Sequence, residues 1–273
     1  MSDLPATESF DPRFKHLESL ATLTAATALW EGQLAAIAAM RPALPAISAA
    51  VEEAAERLGE TGRLIYCGAG TSARIGAQDG AELPPTFDWP SQRLAFLIAG
   101  GPAALMAAIE NAEDDAARAR EEIEALTLCA HDVVIGLAAS GNTPYTVAAI
   151  TTAREKGALT IGIANSPNTK LLSAAKHPIL LDTGAEPIAG STRLKAGTAQ
   201  KVALNLISTL IMVRLGKIYQ GHMVEMVARN EKLRDRAQRM VMNLAMVDAA
   251  TAKQALAESN GNVKTALKIL KTL

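Results

Sequence analysis

Apolar positions change their period near residue 60. From His16 to about Leu58 they fall at helical spacing, with Leu17, Leu20 and Leu23 leading into an Ala-rich stretch that carries Leu34, Ile37 and Met40. Pro42 and Pro45 split this region into at least two helices. Helix resumes from Ile47 to Leu58, and Gly59 and Gly62 end it. Residues 1–14 are polar and read as an arm. Beyond Gly62, short and nearly continuous apolar runs alternate with helical ones. The candidate strands are Leu64–Cys67, Leu94–Ile98, Val133–Leu137, Leu159–Ile163 and Ile179–Leu181. The intervening helices are Ser72–Glu82, Ala103–Ala125, Pro144–Lys156 and Thr169–Lys176. This alternation predicts an α/β fold, a three-layer α/β/α sandwich around a five-stranded parallel sheet covered on both faces. Five such strands suit the flavodoxin-like order 2-1-3-4-5.

The pattern changes again after the last strand. A polar stretch from Thr183 to Lys201 enters a long apolar helix through Leu204, Ile207, Ile211 and Leu215, with Ser191 or Thr192 as its expected cap. Val224–Met246 reads as a charged helix. Asp248–Leu256 and Asn262–Leu270 read as two short helices, a small appendage of the ubiquitin-associated type with a shortened bundle. The expected division is 1–58 for the N-terminal arm and helices, 59–222 for the α/β domain, and 223–273 for the C-terminal helical region.

Two loops of this frame carry chemistry. The run Tyr66-Cys-Gly-Ala-Gly-Thr-Ser-Ala-Arg-Ile-Gly76 is a strand end, a Gly-rich turn and a helix start. Such a junction aims backbone N–H groups and the positive helix end at one point, which suits an anion. Gly70 allows close approach, and Thr71 and Ser72 add hydroxyls. The Lys-Ser/Thr ending of a nucleotide-triphosphate loop is absent. The loose dinucleotide pattern is present, but no carboxylate ends the second strand, Leu94-Ala-Phe-Leu-Ile98. The loop after the third strand, Ala138-Ala-Ser-Gly-Asn-Thr-Pro-Tyr-Thr146, repeats the same chemistry with Ser140, Asn142 and Thr143. In the expected strand order both loops meet at the crevice where the sheet reverses direction, so they can surround one phosphate. Two acids lie near them in sequence, Glu82 before Pro84-Pro85 and Glu113 in Glu110-Asn-Ala-Glu-Asp-Asp115. A pair of carboxylates in different environments is what proton transfer needs.

Composition narrows the field. The chain has 273 residues, 49% hydrophobic and 20% charged, with a net charge of −1 and only 3% aromatic residues. No global field favours nucleic acid or anionic membrane, and stacking platforms for single strands are scarce. Cys67 and Cys129 belong to no paired motif and read as buried thiols of a reducing compartment. The expected location is cytoplasmic, with no leader segment and no membrane span. His16, His131, His177 and His222 show no metal-ligand spacing.

Taken together, Gly68-Ala-Gly-Thr-Ser72, Ala81-Glu-Leu-Pro-Pro-Thr86, Ile98-Ala-Gly-Gly101, Ala112-Glu-Asp114, Ala139-Ser-Gly-Asn-Thr-Pro-Tyr145, Gly190-Ser-Thr-Arg-Leu-Lys-Ala-Gly-Thr-Ala-Gln-Lys201 and Asn230-Glu-Lys-Leu233 resemble the N-acetylmuramic acid 6-phosphate etherases. These are sugar-isomerase (SIS) domain enzymes of peptidoglycan recycling. The resemblance runs from about residue 15 to the end. It implies a dimeric α/β/α enzyme without metal or organic cofactor, with Glu82 as proton donor and Glu113 as the second active-site residue. It also implies elimination of lactate from the sugar, then hydration, with no nucleic-acid or membrane partner. The chain departs from the family at Ala73, at Ala81-Glu-Leu83, at Trp30-Glu-Gly-Gln33 and in a shorter C-terminal tail. The first two touch the sugar pocket, and the third touches the expected subunit interface.

Glu82 lies ten residues beyond the phosphate loop, roughly 15 Å along a continuous helix. A hexose phosphate is shorter than that, so Glu82 is expected to reach a phosphosugar bound by the partner of a homodimer. Glu186 precedes Gly190-Ser-Thr192 with the spacing of the catalytic glutamate in the isomerase domain of glucosamine-6-phosphate synthase. It reads either as a ligand of sugar hydroxyls, with Ser191 beside it, or as a solvated loop acid. Two rival functions remain open, a non-catalytic phosphosugar sensor like the SIS domains of glucokinase regulatory protein and a phosphosugar isomerase using Glu186.

Overall fold

In a computed structural model, the structure describes Thr7, Ser9, 11–226 and 231–273. Most of the expected N-terminal arm, Asn230 of the Asn230–Leu233 motif and part of the expected 224–246 helix lie outside the described residues. The chain forms two compact units. One comprises the chain through Gly80 with Gln92–Ile211, and the other Ala81–Ser91 with Met212–Leu273.

The first unit is built on strands β1 (Leu64–Gly68), β2 (Leu94–Ile98), β3 (Val133–Ala138), β4 (Leu159–Ala164) and β5 (His177–Leu180). All pair in parallel in the order β2-β1-β3-β4-β5, as the sequence pattern predicts. Every residue of β1, β3 and β4 is buried, which explains their continuous apolar runs. Successive side chains point to opposite faces. Ile65, Cys67 and Val134 join a cluster with Ala119 and Ile123 of α4 (Ala116–Ala125), Ala149, Ile150 and Ala153 of α5 (Pro144–Glu155) and Leu171 of α6 (Lys170–Ala174).

The opposite face takes α2 (Leu44–Leu58), which contacts β3, β4 and β5. Its buried stripe of Ile47, Ala50, Val51, Ala54 and Leu58 has helical spacing. Glu53, also on α2, ties it to the start of β5 through His177 at 2.8 Å and Lys176 at 2.6 Å. On this face Tyr66 donates to buried Asp79 of α3 (Gly70–Phe87) at 2.7 Å. Asn205 and Ser208 of α7 (Lys195–Arg214) donate to the other oxygen of Asp79 at 2.6 and 3.1 Å. The stretches Thr22–Leu58 and Lys195–Arg214 have the length and hydropathy of membrane spans. The first is broken at 39–43 between α1 (Thr22–Ala38) and α2. More than half of the second is buried within the protein.

Two expected helices have other bounds, and one expected burial is absent. Residues 103–125 are not one helix: short 3-10 turns at Pro102–Leu105 and Ala112–Asp114 precede α4, and Asn111 between them is left-handed, at φ +61°. Helix α3 runs through Pro84 and Pro85 to Phe87 instead of ending near Glu82. Cys129 is exposed, unlike Cys67.

In the second unit, the hairpin β6 (Ile218–Tyr219) and β7 (His222–Met223) precedes α8 (Glu231–Ala245), α9 (Ala249–Glu258) and α10 (Val263–Ile269). Val224, Met226, Val241, Ala252, Ala266 and Leu267 form its core. Asp248 and Asn262 cap α9 and α10 by accepting from Thr251 and Thr265 N–H, each at 2.8 Å.

Candidate active site

The loops after β1 and β3 converge, as their positions at the switch in strand order require. With the turn at Gly190 and the Glu113 segment they line a cavity of about 380 Å³. Gly70, Thr71 and Ser72 wall one side, and Ser140, Asn142 and Thr143 another. Gly70 opens α3 at φ +54°, and a Cβ built there would meet nothing within 4 Å, so the backbone faces open space. The first N–H groups of α3 have no partner within their own helix, and Gly70, Thr71 and Ser72 line this space; α5 starts at Pro144, which has no N–H to offer. Among the described residues that line the cavity, none is Lys or Arg. A phosphate in this cavity would meet backbone N–H groups and hydroxyls and no cationic side chain among the described lining residues.

The β3 loop is fixed from behind. Gly141 has φ +68°, and a Cβ there would lie 2.3 Å from Thr169 Oγ1, so no larger residue fits. Lys170 N–H donates to Asn142 Oδ1 at 3.1 Å, and Leu171 N–H donates to the Gly141 carbonyl at 2.9 Å. Thr143 caps α5 without using its hydroxyl, which is left for the cavity. Tyr145 is buried on the first turn of α5 and donates to Glu122 of α4, which ties this loop to the helix that follows Glu113.

Ser72 plays a different part from the one expected. Its hydroxyl donates to Gln200 Oε1 at 2.9 Å, Gln200 Nε2 donates to Asn165 Oδ1 at 2.9 Å, and Asn165 Nδ2 donates to the Leu181 carbonyl at 3.1 Å. A backbone carbonyl only accepts, so this terminus fixes the direction of the whole chain. The Ser72 proton is therefore directed into the core. Towards the cavity Ser72 offers its backbone N–H and an oxygen lone pair.

Glu113 stands exposed on the Ala112–Asp114 turn and lines the cavity, with Asp114 beside it. Asp115 accepts from Arg118 N–H at 2.9 Å and starts α4, which sets where the turn ends. Glu82 is exposed on α3 and is not among the lining residues.

Glu186 is neither solvated nor in the cavity wall. It is fully buried, and its two oxygens accept from Lys195 N–H and Ala196 N–H at 2.9 Å each. Burial pushes its carboxyl up, against the pull of those two donors and of Lys195. It supplies the cap of α7 expected from Ser191 or Thr192. Ser191 is not among the lining residues: its N–H donates to the Ile188 carbonyl at 2.9 Å, and its neighbours Gly190 and Thr192 line the cavity. The polar entry of the long helix was the signal for Thr192, but a shift of one residue within a turn is invisible to pattern.

Comparison with known proteins bears on this geometry. The SIS domain family matches residues 115–210, and the family of the glucokinase regulatory protein N-terminal SIS domain matches residues 46–154. A phosphoheptose isomerase from Francisella tularensis superposes with a TM-score of 0.54 at 18% identity, over 72% of this chain and 100% of that one. A phosphoheptose isomerase from Neisseria gonorrhoeae gives 0.51 at 21% identity, over 70% and 97%. At such identities these two speak for the fold alone. The N-acetylmuramic acid 6-phosphate etherase of Deinococcus radiodurans is 49% identical over 271 residues, 99% of this chain and 89% of that protein. The chain belongs to the N-acetylmuramic acid 6-phosphate etherase family. The etherase of Streptomyces coelicolor agrees at 46% identity over 97% of this chain and 85% of that protein. The volume of the cavity described above falls in the range of about 300–1,000 Å³ usual for small-molecule sites.

Proposed function

We propose that the protein is a carbon–oxygen lyase that converts N-acetylmuramic acid 6-phosphate and water to N-acetylglucosamine 6-phosphate and D-lactate. The observation that carries this reading is that Glu113 lines one cavity with Gly70, Thr71, Ser140, Asn142 and Thr143, in a chain of this family. The open-chain sugar has an aldehyde at carbon 1, which makes the proton on carbon 2 acidic. Glu113 removes that proton. The bond between carbon 3 and the ether oxygen breaks, and Glu82 donates a proton to the departing oxygen of lactate. Water then adds its oxygen to carbon 3 of the unsaturated aldehyde, and carbon 2 regains a proton. The aldehyde is the electron sink, so the chemistry calls for no redox cofactor. Contacts to the phosphate are remote from the reacting carbons and serve to position them.

The working unit is a homodimer in which Glu82 of one protomer completes the cradle of the other. The exposure of both Glu82 and Glu113 supports this. So does the exposed stripe Leu23, Trp30, Leu34 and Ile37, which falls on one face of α1 and suits burial against a second copy. The setting is cytoplasmic recycling of peptidoglycan sugars.

Release of D-lactate from N-acetylmuramic acid 6-phosphate by the purified protein tests the reading. Wild type is expected to release it, with label from heavy-oxygen water appearing in the sugar and not in the lactate, and Glu82→Ala is expected to release none. The match to the regulatory-protein SIS family keeps a sensor as the second reading. Binding of the phosphosugar without lactate release decides for that sensor. Isomerisation without lactate release decides for an isomerase.

A further inference from the structure

A second hollow of about 300 Å³ adjoins the cradle and shares Ala69, Gly70, Thr71 and Glu113 with it. Its own walls are Arg74 of α3, Ala99 just after β2, and Ala104, Ala107, Ala108 and Ile109 of the following loop, with Glu110, Asn111 and Ala112 leading to Glu113. The loop is shaped from within. Arg74, on the first turns of α3, donates Nε–H to the Leu105 carbonyl at 3.0 Å and Nη2–H to the Ala104 and Ala107 carbonyls at 3.0 and 3.3 Å. One guanidinium thus holds three carbonyls of one short segment.

Resting on the etherase reading, we infer that this hollow receives the acetamido group on carbon 2 of the sugar. With the phosphate in the cradle, carbons 2 and 3 lie at the far end of the open chain. A base acting on carbon 2 sits beside that carbon, and Glu113 borders both spaces. The substituent of carbon 2 therefore passes Glu113 into the second space. The alanine methyls and Ile109 suit the acetyl methyl, and Glu110 and Asn111 offer acceptors to the amide N–H. The lactyl carboxylate is a poorer occupant. Two carboxylates, Glu110 and Glu113, oppose its charge against the single guanidinium of Arg74, whose Nε–H and Nη2–H groups already serve three backbone carbonyls. Seating the acetamido group also fixes the rotation about carbon 2, which turns its proton towards Glu113.

The test is calorimetric binding of N-acetylglucosamine 6-phosphate and glucose 6-phosphate to the full-length protein. These ligands share the phosphate and differ in the carbon 2 substituent. Wild type is expected to prefer the acetamido sugar by about tenfold or more, as burial of one methyl and one hydrogen bond allows. Ala107 and Ala108 are exposed, so Ala107→Leu and Ala108→Leu fill the hollow without repacking the core. Each is expected to abolish the preference while glucose 6-phosphate binds as before, which also reports that the variant is folded. The widened variant Ile109→Ala is expected to admit the N-propionyl analogue nearly as well as the acetyl sugar. Equal binding of the two sugars by wild type, or a preference that survives both leucine substitutions, overturns the inference and leaves the etherase reading standing. Failure of wild type to bind either sugar phosphate overturns both.

Discussion

Glu186→Gln separates a structural acid from a catalytic one. The carboxylate is fully buried, and each oxygen accepts one N–H from the first turn of α7 at 2.9 Å. An amide in its place keeps one acceptor and turns an NH2 group towards the other N–H. One hydrogen bond is lost and one buried donor is left without a partner, at a cost of about 1–3 kcal/mol. Loss of negative charge at the start of a long helix adds about 0.3–1 kcal/mol. Relief from burying an ionised group offsets part of this, since burial pushes the Glu186 carboxyl up. A net loss of about 2 kcal/mol is expected, or about 4–8 °C in Tm for a unit of this size. Thermal denaturation measures that loss, and lactate release well below the transition measures kcat, which is expected to stay within about threefold of wild type, a change of less than 1 kcal/mol in the barrier. A hundredfold fall in kcat with an unchanged Tm refutes the reasoning and returns Glu186 to the substrate.

Gln200→Leu breaks the chain from Ser72 to Leu181 and leaves the Ser72 hydroxyl and Asn165 Oδ1 without these partners in the core, while Asn165 Nδ2 keeps its bond to the Leu181 carbonyl. It is expected to cost about 2–4 kcal/mol and to raise KM for the phosphosugar more than it lowers kcat, as steady-state kinetics at low temperature will read. Glu53 is pushed up by burial, but bonds from Lys176, His177 and Arg57 outweigh this and hold its carboxyl down at about 2. Its folded value is below the unfolded one, so its stabilisation is present above about pH 4.5 and is lost as pH falls towards about 2. Glu53→Gln is therefore expected to lower Tm at pH 7 and to converge with wild type at the acid end of a pH–Tm series.

The sheet was readable because β1, β3 and β4 are buried on both faces and so appear as unbroken apolar runs. Strand order then brings two hydroxyl-rich loops to one crevice. What stayed hidden depends on contacts between distant segments. Arg74, Gln200 and Asn165 carry no local motif for the carbonyls and amides they serve. Glu186 sits among polar residues and so reads either as a sugar ligand or as a loop acid, yet its partners, Lys195 and Ala196, belong to the helix it caps. The break in 103–125 turns on Asn111, whose left-handed backbone suits Asn and leaves no trace in hydrophobic period. The hairpin at 218–223 is too short to show alternation.

Mixing two inactive variants tests the central claim most directly. Glu82→Gln lacks the acid, and Asn142→Asp places a like charge against the phosphate. In the proposed homodimer, refolding the two variants together would give mixed dimers in which one of two shared sites is intact. The account predicts recovery of about a quarter of wild-type lactate release from an equal mixture. A mixture that stays as inactive as its parts, with mixed dimers demonstrably formed, contradicts it.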